Sequence, residues 1–90
     1  MKYYIIYPVT GRVSKQLCEA VYSVDKSAEF VEDAGVCDVV VLQNGWNRSN
    51  ACKVKMKDLL DAGKICIEEF EFQVWYRERM HGGNSVCTHQ

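Results

Sequence analysis

The segment Gly45-Trp46-Asn47-Arg48-Ser49-Asn50, with Lys55 just beyond it, gathers the residues of this chain best suited to chemistry. Ser49 can accept a hydrogen bond from a free amide in the first turn of a following helix. With Asn50 it offers the best anion or hydroxyl site in the chain, because exposed amide donors and the positive end of a helix dipole meet there. Arg48 and Lys55 supply charge suited to a phosphate. Trp46 could stack on a base or close over the local core, and the two roles stand even. Tyr7 and Thr10 follow an earlier apolar run, so they line the same crevice if both runs are parallel strands. Each residue also has a plainer role: a helix cap for Ser49, solvation for Arg48 and Lys55, core packing for Tyr7.

Other chemistry is thinner. Glu29, Glu32 and Asp33 are the carboxylates available for acid–base work, and they keep no recognisable spacing. Asp38 opens a strand at the end away from the crevice, which makes it structural. His81 and His89 lie in the last ten residues and pair with no recognisable nucleophile. Of five cysteines, Cys18, Cys37, Cys52 and Cys66 fall in apolar, periodic segments, and none of the five forms a C-x-x-C pair. An odd count without a secretion signal points to reduced thiols and the cytoplasm, with no metal and no cofactor. A formal net charge of -1 removes the basic excess that phosphate neutralisation on a nucleic acid requires. Lys53, Lys55 and Lys57 cluster, but their spacing fans them around a solvated helix face. No run reaches the roughly twenty apolar residues needed to span a bilayer.

These residues need a scaffold that the chain spells out in turn. Ninety residues make one domain, with a modest buried fraction that oligomerisation would help. Lys2 to Pro8 is β-branched and aromatic, and predicts a central strand. From Ser14, a plausible cap, Leu17, Cys18, Val21 and Tyr22 form one face of a helix over 14–23. A second helix is expected over Asp25–Ala34, ended by Gly35. Val39 to Leu42 is uniformly apolar, which suggests a strand covered on both faces and hence a parallel sheet. Asn44-Gly45 breaks it. A helix follows over Asn50–Ala62, with Cys52, Met56, Leu59 and Leu60 inward and Gly63 at its end. A third strand opens at Lys64, and its alternation runs on through Phe70, Phe72, Val74 and Tyr76, as a long edge strand or a strand that turns into a second element. Residues 1–80 form the domain, and 81–90 are expected as a flexible tail.

Two blocks suggest a family. Ile6-Tyr7-Pro8-Val9-Thr10-Gly11 stands where a strand ending in S-G-P-M-T-G would stand, and Cys37-Asp38-Val39-Val40-Val41-Leu42-Gln43-Asn44-Gly45-Trp46-Asn47-Arg48-Ser49 follows the pattern C-D-A-V-x-x-L-P-G-W-x-x-S; Ala62-Gly63-Lys64 closes the match. Over about half its length the chain resembles small phage and prophage domains related to nucleoside 2-deoxyribosyltransferases. The resemblance implies a short two- or three-layer Rossmann-like α/β fold with a mainly parallel sheet of about three to four strands and three helices. The position of the transferases' nucleophilic Glu holds Lys55, a cation that cannot attack an anomeric carbon. Tyr7 occupies space that the family leaves open for substrate.

The expected function is therefore non-catalytic: a phage accessory protein that holds or sequesters a nucleotide-derived ligand or a host protein, in counter-defence. The alternatives are an N-glycosidase or transferase-like enzyme using Glu29 or Glu32, and a pure protein-interaction module. Relative to the family the stretch between Gly11 and Val39 reads as helices without the intervening strand, which would leave successive helices on one sheet face and the other face bare. A homodimer with Phe72, Val74, Trp75 and Tyr76 as contacts is the favoured cover.

Overall fold

The computed structural model describes residues 1–8 and 11–87, the side chains of 81–87 excepted. In chain order the elements are β1 (Lys2–Ile6), α1 (Lys15–Val24), β2 (Glu29–Phe30), β3 (Val39–Leu42), α2 (Asn50–Asp61), β4 (Ile65–Glu68) and α3 (Phe72–Cys87), with short 3-10 turns at Ala34–Val36, Trp46–Arg48 and Glu69–Glu71. The four strands form one sheet in the order β2-β1-β3-β4 with every pairing parallel. The fold is thus α/β with three helices. β1 and β3 lie side by side, their chain continuations leaving in opposite directions.

That divergence decides which face each helix covers. Right-handed crossovers to opposite sides of β1 place α1 and α2 on opposite faces. The packing agrees. Tyr3, Ile5, Val39 and Val41 meet Leu17 and Val21 of α1 and Phe72 of α3, whereas Ile6, Val40 and Leu42 meet Trp46 and Cys52. The continuous apolar run of β3, buried on both faces, reflects this double cover.

Two expectations are corrected here. The helix over Asp25–Ala34 does not form: Asp25 caps the end of α1, and the chain pairs with β1 at Glu29 and Phe30. Buried contacts override local helix preference in this segment. Phe30 turns toward Tyr3 and Tyr22, with ring centroids 6.0 and 5.3 Å away, while Val31 packs against the opposite core. The strand thought to be missing is therefore present, though only two residues long. What joins β2 to β3 is a 3-10 turn with no crossover helix.

Among the described residues neither sheet face is bare, because α1 and α3 share one face and α2 lies on the other. Phe72, expected at a subunit interface, is 1 % exposed within the chain's own core. Trp75 and Tyr76 are half-buried against that core, and of the expected contacts only Val74 is exposed, beside Phe70. Of the two courses open to the final alternation, the chain takes the second and turns into another element instead of extending the sheet. The strand ends at Glu68 and a helix starts at Phe72, continuing to Cys87 through most of the stretch expected as a tail.

The α2 stripe is narrower than expected: Cys52 is buried, Met56 and Leu59 pack on the core, and Leu60 is exposed. Gly63, at φ +86°, ends that helix in a backbone shape that suits glycine. Cys18, Cys37, Cys52 and Cys66 are free thiols, and burial pushes the thiols of Cys18, Cys37 and Cys66 above their ordinary value. Such thiols behave as small hydrophobes. No helix among the described residues is long and apolar enough to cross a membrane.

Candidate functional site

In an open parallel sheet the ligand crevice lies beyond the carboxyl ends of two neighbouring strands whose connections diverge. Here those strands are β1 and β3, so among the described residues 7–8, 11–14 and 43–49 form its walls. Gln43 stitches the two together. Its Oε1 accepts from the Ser14 amide at 2.6 Å and its Nε2 donates to the Arg12 carbonyl at 2.9 Å. From below, the Cys52 thiol donates to the Tyr7 carbonyl at 3.1 Å. Gly45, at φ +91°, brings its backbone against Pro8, where an added Cβ would meet the proline ring at 3.7 Å. The left-handed backbone, rather than the space, is what favours glycine there.

The β3–α2 loop is tied to the end of β4 and to the turn after it as well. Asn44 N–H donates to Glu69 Oε1 at 3.0 Å, and Trp46 Nε1–H donates to Glu68 Oε1 at 3.4 Å. Trp46 is 9 % exposed. Of its two sequence-level roles, the lid over the local core is the one this geometry fits. Ser49 uses its side-chain oxygen as a cap, accepting from the Cys52 amide at 3.4 Å, and Ser14 does the same for α1. Arg48 and Asn50 are exposed to solvent. Thr10 lies outside the described residues.

Lys55 and Tyr7 do come together. Both line a cavity of about 260 Å³ over β1, with Tyr4 and Cys52, and the Lys55 Nζ stands 4.8 Å from the centre of the Tyr4 ring. A cation over an aromatic face is attracted by the ring quadrupole. A second cavity, of about 440 Å³, shares Tyr4, Ile5 and Tyr7 with the first and extends toward Phe30, Val31 and Glu32. Tyr7, 39 % exposed, is thus a wall of both.

The carboxylates divide by position. Glu29 pairs in register with Lys2 at the amino end of the sheet, away from the crevice. Asp38 is at that end too, where its Oδ2 accepts from the Lys2 amide at 2.8 Å, the structural role its place in the sequence implies. Of the three early candidates, Glu32 lines the larger of these two cavities. Among the described residues no group of three or more His, Cys, Asp or Glu could hold a metal ion.

Four participants were not legible in the sequence: Gln43, Tyr4, Glu68 and Glu69. Only Gln43 carries a local hint, as the first polar residue after an apolar strand. The others depend on which strands become neighbours. Comparison with family models, with curated proteins and with solved structures returned no match.

Proposed function

We propose that the protein is a non-catalytic binding module that holds a nucleotide-derived anion in the cavity over β1, which shares Tyr7 with the crevice beyond β1 and β3. The observation that carries this reading is the Lys55 ammonium poised over the Tyr4 ring, in a cavity that Tyr7 also walls. An aromatic surface beside a cation suits a ligand with a flat ring and a negative group. The resemblance to nucleoside 2-deoxyribosyltransferases adds to it, since Lys55 takes the place of the nucleophile and turns a site for chemistry into one for retention. In that setting the chain would act as a phage accessory protein that sequesters a host nucleotide signal.

Titration calorimetry against nucleoside monophosphates, NAD-derived metabolites and cyclic dinucleotides tests the proposal. One class should bind, and Lys55→Ala should weaken it about tenfold or more, as loss of a charge-assisted hydrogen bond does. Ser49→Ala serves as the control: it removes a cap worth about 1 kcal/mol of stability and should leave affinity unchanged. Silence across the panel rejects small-molecule binding. A hydrolytic reading rests on Glu32, which lines the larger cavity. The same incubations would then release free base, and Glu32→Gln would stop it.

A further inference from the structure

The pairing of β1 fixes where each of its peptide groups points. Asp38 N–H donates to the Lys2 carbonyl and Gln43 N–H to the Ile6 carbonyl, so even-numbered residues of β1 turn their backbone toward β3. Glu29 N–H donates to the Met1 carbonyl and Val31 N–H to the Tyr3 carbonyl, so odd-numbered residues turn toward β2. Ile5 is next in that odd series. Yet β2 ends at Phe30, and among the described residues nothing meets the N–H or the C=O of Ile5 on that side.

Ile5 is only 6 % exposed, so among the described residues these are buried backbone groups without a protein partner. Such groups are uncommon in folded proteins, because a lost hydrogen bond is not recovered from water. The larger cavity lies on this side, walled by Ile5, Phe30, Val31 and Tyr7. Its volume, about 440 Å³, falls within the range of small-molecule sites. A donor and an acceptor on one strand residue, flanked by aromatic walls, match a planar ring whose edge carries a ring nitrogen next to an exocyclic amine.

We propose that this cavity is a base-binding subsite for an adenine- or cytosine-type edge, the Ile5 N–H donating to the ring nitrogen and the Ile5 C=O accepting from the amine. The inference rests on the nucleotide-binding reading above and extends it, with the phosphate at Lys55 and the base on the free edge of β1. An added peptide strand would use the same two groups. Among the described residues the edge offers only one such residue, since the Tyr7 carbonyl is taken by Cys52 and β2 already occupies the edge before Ile5. That is too short for a strand and sufficient for a base.

The test combines titration with amide NMR. AMP and CMP should bind about tenfold or more tightly than IMP and UMP, whose edges present a ring N–H and a carbonyl in the reversed order. The Ile5 amide proton should move downfield and exchange more slowly with AMP but not with IMP. Val13→Trp, at a residue already 38 % exposed, should fill the cavity and abolish AMP binding without unfolding the protein. Equal affinity for AMP and IMP, both weakened by Lys55→Ala, would overturn the base subsite and leave the phosphate reading in place. Adenosine shifting Ile5 with no effect of Lys55→Ala would keep the subsite and remove Lys55. Unchanged AMP affinity in folded Val13→Trp protein, or an Ile5 shift produced only by extended peptides, would also overturn it.

Discussion

Phe72→Ala should destabilise the protein by about 3–5 kcal/mol, the range for removing a buried aromatic side chain. The ring is 1 % exposed and sits edge-on to Tyr3, centroid to centroid 5.4 Å, with Trp75 and Tyr76 each 5.9 Å away. It joins α3 to the cluster of Leu17, Val21, Val39 and Val41, so its loss opens the layer between the sheet and two helices at once. Small domains have about 5–15 kcal/mol in all, so a large share of the total would go. Urea unfolding measures it. Because the ring belongs to the core of a single chain, the loss should be the same at every protein concentration. Val74→Ala, at an exposed site on the same helix, should change stability by no more than about 0.5 kcal/mol. Were Phe72 an interface anchor, dilution would mimic the mutation in the parent protein.

The contrast between Phe72 and Val74 also shows what the sequence could and could not tell. From Phe70 to Tyr76 the apolar residues alternate, which is the signature of a strand, yet Phe72, Trp75, Tyr76 and Arg79 equally mark one helix face. Local pattern cannot choose between them. The structure does, because only a helix lets Phe72 reach Tyr3 while Trp75 and Tyr76 flank it. The segment after α1 is similar: Ser27-Ala28-Glu29 fits a helix well enough, and β2 forms because Asp25 is held in place and β1 offers a free edge. By contrast β3, its break at Asn44-Gly45 and the caps Ser14 and Ser49 were readable from residue type alone, since each depends on neighbours in the chain.

The site divides along the same line. Tyr7 could be nominated because it follows a strand whose direction was foreseeable, and Lys55 because it stands in the helix after the β3 loop, at the position the resemblance gives to the nucleophile. Gln43 could not be given its role, because it bonds to Ser14 and Arg12 some thirty residues earlier. The Ile5 edge was hidden for a different reason: its free groups exist only because β2 is two residues long. A site made by a strand's early end has no signature in side-chain types.

Asp25→Ala should cost about 3 kcal/mol, since removing one side of a buried charged network leaves the other side unsatisfied. Asp25 is 4 % exposed, and its Oδ2 accepts from the Tyr3 hydroxyl at 2.7 Å and from the amino group of Met1 at 3.1 Å. Its Oδ1 accepts from the Ser27 amide and hydroxyl at 3.1 and 3.0 Å. Burial alone would raise the carboxyl pKa; the bonds from Tyr3, the amino group and Ser27 outweigh it and hold Asp25 below the usual carboxylate range. The folded pKa is thus below the unfolded one, about 3.9. The contribution of Asp25 is therefore complete above that pH and fades as acid titrates first the unfolded and then the folded carboxyl. Asp25→Asn should be less stable at pH 7, and its deficit should shrink as the pH falls below about 4. At the other end of the scale, burial and then the hydrogen bond to Asp25 push the Tyr3 hydroxyl far above its ordinary value, so its share of stability holds up to about pH 10 and is lost above it. Tyr3→Phe should flatten that alkaline limb. In the double variant, removing Tyr3's hydroxyl should offset part of the Asp25→Ala loss, because no buried donor is then left without an acceptor. Additive losses would mean that the two groups are not partners in solution.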